Sequence, residues 1–257
     1  MKNNLEYFQV IEPKEPTPAD LARKVRQRSN LFYTGMGFIA IVMVFLGFGQ
    51  SFYRTATGAR QVSFLVHLHA ATFGVWLILF IVQTRLIASR NFKLHRQLGF
   101  AAIALAVVMI VTSFYTAIVA ARNGYDLDGT NDPLRFMVFT VGNAVSLTIL
   151  LAGGFWYRRR PEVHKRLMLL STVGPMMSAP LAHFFTQVPP FLNLPPIFLG
   201  MMAALLFSSA VYDRLTRGSF HPVSLWGAML LFVWGNLLAL VIGPSDVWRR
   251  FAIWLTS

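Results

Sequence analysis

Six histidines stand in a chain that has no cysteine, which makes imidazole nitrogen its principal ligand for a transition metal. His67 and His69 open the apolar stretch FLVHLHAATFGVW, and His183 closes another. His95, His164 and His221 stand in the basic or polar connections KLHRQLG, EVHKRLM and SFHPVS. A haem takes one or two imidazoles at matching depth on facing helices. His69 with His183, and His95 with His164, each supply such a pair. A non-haem copper, iron or zinc centre takes three histidines, or two and a carboxylate. His67, His69 and His183 supply that count, and Met176, Met177, Met201 and Met202 are soft ligands if the metal is copper. The competing reading makes each histidine a hydrogen-bonding residue that locks two helices. Ionisable groups inside a membrane are functional by default, which favours the first reading for the deeper histidines. The shallower His95 and His164 stand beside Arg96, Lys165 and Arg166, which suit anchoring to lipid headgroups.

Several chemistries lack their residues. Without cysteine there is no disulfide, thiolate metal site, iron–sulfur cluster or c-type haem attachment. A retinal Schiff base needs a lysine within a helix, and after Lys93 the chain has only Lys165, at a helix end. A proton pump usually keeps a carboxylate mid-membrane, whereas Asp213 is expected at a helix end. No HExxH, GxSxG or phosphate-loop pattern occurs. Ser171, Ser178, Ser208 and Ser209 read as small packing residues.

The elements that must position the histidines are membrane helices. Of 257 residues 55% are hydrophobic and 13% charged, and the mean hydropathy is +0.54. Apolar runs long enough to cross a bilayer, about 20 residues each, cover Leu31–Phe52, Val62–Ala88, Leu98–Ala121, Leu134–Tyr157, Leu167–Gln187, Pro196–Tyr212 and Val223–Ile242. This predicts an all-α polytopic bundle of about seven transmembrane helices, with Pro175 and Pro180 kinking the fifth. Residues 1–30 form a polar arm, residues 31–242 the bundle, and residues 243–257 a short tail whose SDVWRRFAIWLTS pattern suits an interfacial helix. The arm lacks the apolar core of a signal peptide, so the first span is expected to serve as the signal. The net charge of +13 lies between the apolar runs, so it carries topology information rather than a nucleic-acid site. Lys and Arg crowd the arm and the second-to-third, fourth-to-fifth and sixth-to-seventh connections, which predicts a cytoplasmic N-terminus and a multi-pass protein of the bacterial inner membrane.

That topology sorts the histidines. His67, His69 and His183 fall within roughly 5–12 Å of the outer helix ends, at 1.5 Å per residue. His95, His164 and His221 begin spans at the cytoplasmic side. Gln50, Tyr115, Asn143 and Asn236 lie in the outer half and are expected to turn inward, towards one polar chamber. His67 and His69 diverge by about 200°. His69 continues through Trp76 and Gln83 as an inward stripe, which leaves His67 for a neighbouring helix near Gln50.

The run HLHAATFGVWLILFIVQTRLIASRNFKLHRQLG, followed by RRRPEVHKRLMLL, resembles a bacterial seven-helix integral membrane family that shares H-x-H, then W and Q, H-R-x-x-G and H-K-R. A looser likeness is to the cytochrome b561-type ferric reductases. That likeness implies haem pairs joining helices two with four and three with five. His95 and His164 match the second pair, while Leu134–Tyr157 carries no histidine for the first. The expected function is binding of haem b or a transition metal through intramembrane histidines, in electron transfer or oxidoreductase chemistry on a lipid-soluble substrate or quinone. The alternative is a non-enzymatic transporter, or an accessory subunit of a larger membrane complex, with structural histidines.

Overall fold

The computed structural model describes residues 17–58, 62–125, 131–189, 191–192 and 194–257, and it places no strand among them. Its helices are α1 (Pro18–Ala56), α2 (Phe64–Ala88), α3 (Phe92–Arg122), α4 (Pro133–Trp156), α5 (Pro161–Val173), α6 (Pro175–Phe185), α7 (Pro195–Arg217), α8 (Pro222–Leu237) and α9 (Asp246–Thr256). A 3₁₀ turn, Tyr157–Arg159, prolongs α4, and a π turn, Leu238–Ile242, prolongs α8. Seven of the helical stretches are long and apolar enough to cross a membrane, as the seven apolar runs predicted. The acidic loop that contains Asp126 and Asp128 lies outside the described residues, as does the arm up to residue 16.

Proline starts many of these helices. It stands in the first turn of α1, α4, α5, α6, α7 and α8, where its missing N–H costs nothing and its fixed φ suits the helix. The first helix begins at Pro18, earlier than the apolar run at Leu31, because Thr17 and Asp20 form a capping box. Thr17 Oγ1 accepts from the Asp20 N–H, and the Asp20 carboxylate accepts from the Thr17 N–H, each at 3.2 Å. The described end of the arm is therefore helical.

The fifth span is two helices. Pro175 has no N–H, so the ladder cannot cross it, and Gly174 turns aside with φ −92° and ψ −97°. The expected kink is thus a break at Pro175, while Pro180 stays inside α6 without interrupting it. α5 packs on α4 and α8, and α6 packs on α1.

Glycine permits the closest approach in the bundle. A Cβ on Gly47 of α1 would lie 2.7 Å from Pro180 Cα and 2.8 Å from its carbonyl carbon, so α1 and α6 meet backbone to backbone. Gly142 and Gly154 instead make room for side chains, those of Leu238 and Met168. Around these contacts lie Met109, Met177 and Leu181, all buried. Met176 is buried there too, and Met201 and Met202 pack against the cluster, so the four methionines considered as soft ligands are core residues. Polar side chains inside the bundle pair across helices. Thr34 meets Thr84 at 2.9 Å, Trp76 Nε1 donates to Thr172 Oγ1 at 3.3 Å, and Asn143 Nδ2 donates to Ser178 Oγ at 2.8 Å.

The tail is a helix, as its sequence predicted. In α9, Trp248 and Ala252 are buried, and Trp248 Nε1 donates to the Leu134 carbonyl at 2.7 Å. Arg249 pairs with Asp132 at 3.1 Å, and Arg122 donates to the Thr256 carbonyl at 2.8 Å. Val247, Phe251, Ile253 and Trp254 remain exposed, which gives the helix an apolar outer side.

Candidate functional site

The end of the bundle where α2 meets α3 and α4 meets α5 carries two histidines, His95 and His164. The reversal after α2 passes through Arg90 in the left-handed region (φ 60°), and the Asn91 side chain caps α3 by accepting from the Leu94 N–H. His95 then sits in the first turn of α3. Its carbonyl accepts from Gln83 Nε2 at 3.2 Å, so the His69–Trp76–Gln83 stripe ends on this residue. Gly154 has no side chain, which lets α5 approach α4. His164 Nδ1 lies 2.8 Å from the Gly154 carbonyl. A carbonyl only accepts, so Nδ1 carries the proton and Nε2 keeps its lone pair. That is the arrangement by which proteins orient an imidazole as a metal ligand. His95 and His164 are both half-buried and within electrostatic range of each other, and His95 Nδ1 is a buried nitrogen without a hydrogen-bond partner.

The opposite end is less convergent than its sequence predicted. The inward stripe is present: His69 is half-buried against Phe73, with ring centres 4.4 Å apart, and Trp76 is buried. Its Nδ1 is buried without a hydrogen-bond partner. His67 is exposed, in keeping with its divergence from His69. His183 Nε2 and the Tyr125 hydroxyl are 2.7 Å apart, and Phe48 packs on the His183 ring at 4.5 Å. Nearby, Gln187 Nε2 donates to the Gly47 carbonyl at 2.7 Å. The expected polar chamber does not form. Gln50 and Tyr115 are exposed, Asn236 donates to the Phe232 carbonyl of its own helix, and Asn143 is engaged by Ser178. Among the described residues no group of three or more His, Cys, Asp or Glu is placed to hold a metal ion, so His67, His69 and His183 are not gathered into a three-ligand set.

A second polar cluster, which the sequence reading missed, joins α5, α7 and α8. Arg166 had been read as a headgroup anchor and Asp213 as a helix-end charge. Both are buried, with side chains 1% and 0% exposed. Arg166 makes a two-pronged contact with the Asp213 carboxylate, Nε to Oδ2 at 2.9 Å and Nη2 to Oδ1. Ser224 donates to Asp213 Oδ2 at 2.6 Å and meets Ser209 at 3.0 Å, so Ser209 belongs to this network rather than to packing alone. Glu162 accepts from Arg166 Nη1 at 2.7 Å, from Lys165 at 2.9 Å and from Arg217. Every charged atom deep in the cluster thus has a partner, which is the condition for burying charge at all. His221 caps α8 beside it, its Nδ1 accepting from the Val223 N–H at 3.2 Å. Burial holds the His221 pKa below the usual histidine value, and the Arg166 charge lowers it further.

No protein-family profile, curated protein or solved structure matches this chain.

A sequence signal for the missed cluster does exist. Arg166 stands three, four and seven residues before Leu169, Leu170 and Val173, all buried, and Asp213 follows Leu206, Ser209 and Ala210 at the same spacings. Both charges continue apolar helical stripes, which marks them as core-facing.

Proposed function

We propose that this multi-pass membrane protein is an electron carrier in which His95 and His164 hold a haem b, or a transition metal ion, at the basic end of the bundle. The observation that carries the reading is the orientation of the His164 imidazole. His164 is fixed through Nδ1 to the Gly154 carbonyl, and it lies within electrostatic range of His95, whose buried Nδ1 has no hydrogen-bond partner. An oriented imidazole with a second histidine at the same end of the bundle is the residue set that a two-imidazole site draws on. When bound, the group supplies one-electron chemistry. Gly154 keeps the His164 ring in one tautomer, and Gln83 holds the first turn of α3 in place. His69 and His183 are the runner-up pair, because His69 also has an unpartnered buried nitrogen.

The test is an absorption spectrum of the purified protein, oxidised and reduced, with iron, copper and zinc measured on the same sample. A reducible Soret band that disappears in His95→Ala and His164→Ala, yet persists in His67→Ala, is the expected result. Loss only in His69→Ala and His183→Ala would move the site to the other end. A colourless, metal-free protein favours the second reading, an accessory subunit or transporter with structural histidines. The contact of His183 on α6 with Tyr125, just beyond the end of α3, supports that reading.

The basic connections are proposed to face the cytoplasm of a bacterial inner membrane, on the support of the Lys and Arg distribution. A reporter fused after Arg160 is then expected to score cytoplasmic, and one fused after Asp128 external. The reverse pattern would invert the orientation.

A further inference from the structure

Five cations lie between Arg158 and Arg166, at the end of α4 and the start of α5, and the structure divides them. Lys165 and Arg166 turn inward to Glu162, and Arg166 also to Asp213. Arg158, Arg159 and Arg160 stay exposed on the 3₁₀ turn and its end. Arg158 Nη1 donates to the Phe155 carbonyl at 3.1 Å, and the Arg160 guanidinium lies over the Tyr157 ring at 5.7 Å. None of the three makes an ion pair among the described residues. The acids of the neighbouring network cannot serve them. Glu162 is shared by Lys165, Arg166 and Arg217, and Asp213 is buried on Arg166.

Three like charges in one turn repel one another unless an anion from outside is present. Their position says which anion. The turn directly continues α4, whose last residue, Trp156, is 79% exposed with Tyr157 beside it. Trp and Tyr favour the boundary between hydrocarbon and headgroups. With those rings at the boundary, the next three residues fall at the level of lipid phosphates. Guanidinium suits phosphate because its planar fork matches two oxygens. A 3₁₀ turn sends consecutive side chains about 120° apart, so the three arginines reach several headgroups rather than one pocket.

We infer that Arg158, Arg159 and Arg160, carried on the turn that ends α4, form a docking collar for the phosphate headgroups of anionic phospholipids. The collar is independent of any cofactor. It differs from generic anchoring by the cations of this stretch, since Lys165 and Arg166 take no part. The three charges account for roughly a hundredfold in affinity for an anionic over a zwitterionic lipid.

Native mass spectrometry of the delipidated full-length protein in detergent provides the test, with tetraoleoyl cardiolipin, dioleoyl phosphatidylglycerol and dioleoyl phosphatidylcholine as probes. The unaltered protein is expected to retain the two anionic lipids in preference to phosphatidylcholine. The triple variant Arg158→Gln, Arg159→Gln, Arg160→Gln is expected to lose most of that preference, while Arg250→Gln on α9 keeps it. The three side chains are exposed, and circular dichroism checks that the variant is folded. On the unaltered protein, binding is expected to fall as NaCl rises to about 0.5 M. Inorganic phosphate at matched phosphate concentration distinguishes a lipid from a free anion. Undiminished cardiolipin binding by the folded triple variant overturns the collar. So does salt-insensitive binding, or displacement of the lipid by inorganic phosphate.

Discussion

Replacing Asp213 with Ala is expected to destabilise the folded bundle by about 3–5 kcal/mol, the usual cost of stranding one member of a buried ion pair. Arg166 would keep its charge with its side chain 1% exposed, and the two oxygens that receive its Nε and Nη2 would be gone. Glu162 would not compensate, because it is half in solvent and shared with Lys165 and Arg217. Ser224 would lose its acceptor as well. The measurement is the denaturation midpoint in detergent micelles, followed by helical circular dichroism. The decisive comparison is the double variant Asp213→Leu with Arg166→Met. Removing both charges leaves nothing unpaired, so most of the lost stability is expected to return. If Asp213→Ala unfolds like the unaltered protein, the pair is not a structural clasp. A stable Asp213→Ala that had lost a transport or redox activity would instead make it part of a working site.

The second large effect concerns two glycines on one helix. Gly47 and Gly49 are two residues apart on α1, yet a Cβ on Gly47 would overlap the backbone of Pro180, while one on Gly49 meets nothing within 4 Å. The obstructing atoms are main chain, so no rotamer change relieves the clash, and α6 must move. Overpacking of this kind costs about 1–3 kcal/mol for Gly47→Ala, and more for Gly47→Val. Gly49→Ala is expected to be neutral or to stabilise by up to about 1 kcal/mol, because alanine is the better helix former. Thermal unfolding of the two single variants side by side checks this. Equal midpoints would mean that α1 and α6 do not touch at Gly47. The displacement would also reach His183, which sits three residues beyond Pro180 and packs on Phe48 of α1.

The seven spans were legible because each demands a long apolar run, and a bilayer enforces that requirement whatever the neighbours are. Local rules also reached the inward stripe of His69, Trp76 and Gln83, since a helix fixes the angle between residues without reference to the rest of the fold. Position along the membrane normal was readable for Arg166 and Asp213, but their surroundings were not. Both stand near a helix end, where charge normally meets water, and their burial depends on α5, α7 and α8 meeting there. Spacing within one helix does not encode which helices become neighbours. The polar chamber failed for the same reason. Gln50, Tyr115, Asn143 and Asn236 share a depth, but depth does not choose a direction, and exposed polar groups near a helix end reach the interface. The shared level of His95 and His164 was readable, whereas the Gly154 carbonyl that fixes His164 required the close approach of α4 and α5.

The broken fifth span bears on the order in which the chain is assembled. It has the lowest mean hydropathy of the seven, 1.2, and the largest buried share, 61%. It also brings Arg166 into the membrane near its start. The buried acid that pairs with that arginine lies later in the sequence, on α7, and Ser224 later still, on α8. A ribosome delivers the cation first. Until the last two spans arrive, the fifth is a weakly apolar segment whose arginine has only the half-exposed Glu162 of its own helix as a partner, poorly suited to remain in lipid. The seam therefore closes from the C-terminal side, and the last spans to be synthesised are the ones that make the fifth a membrane helix.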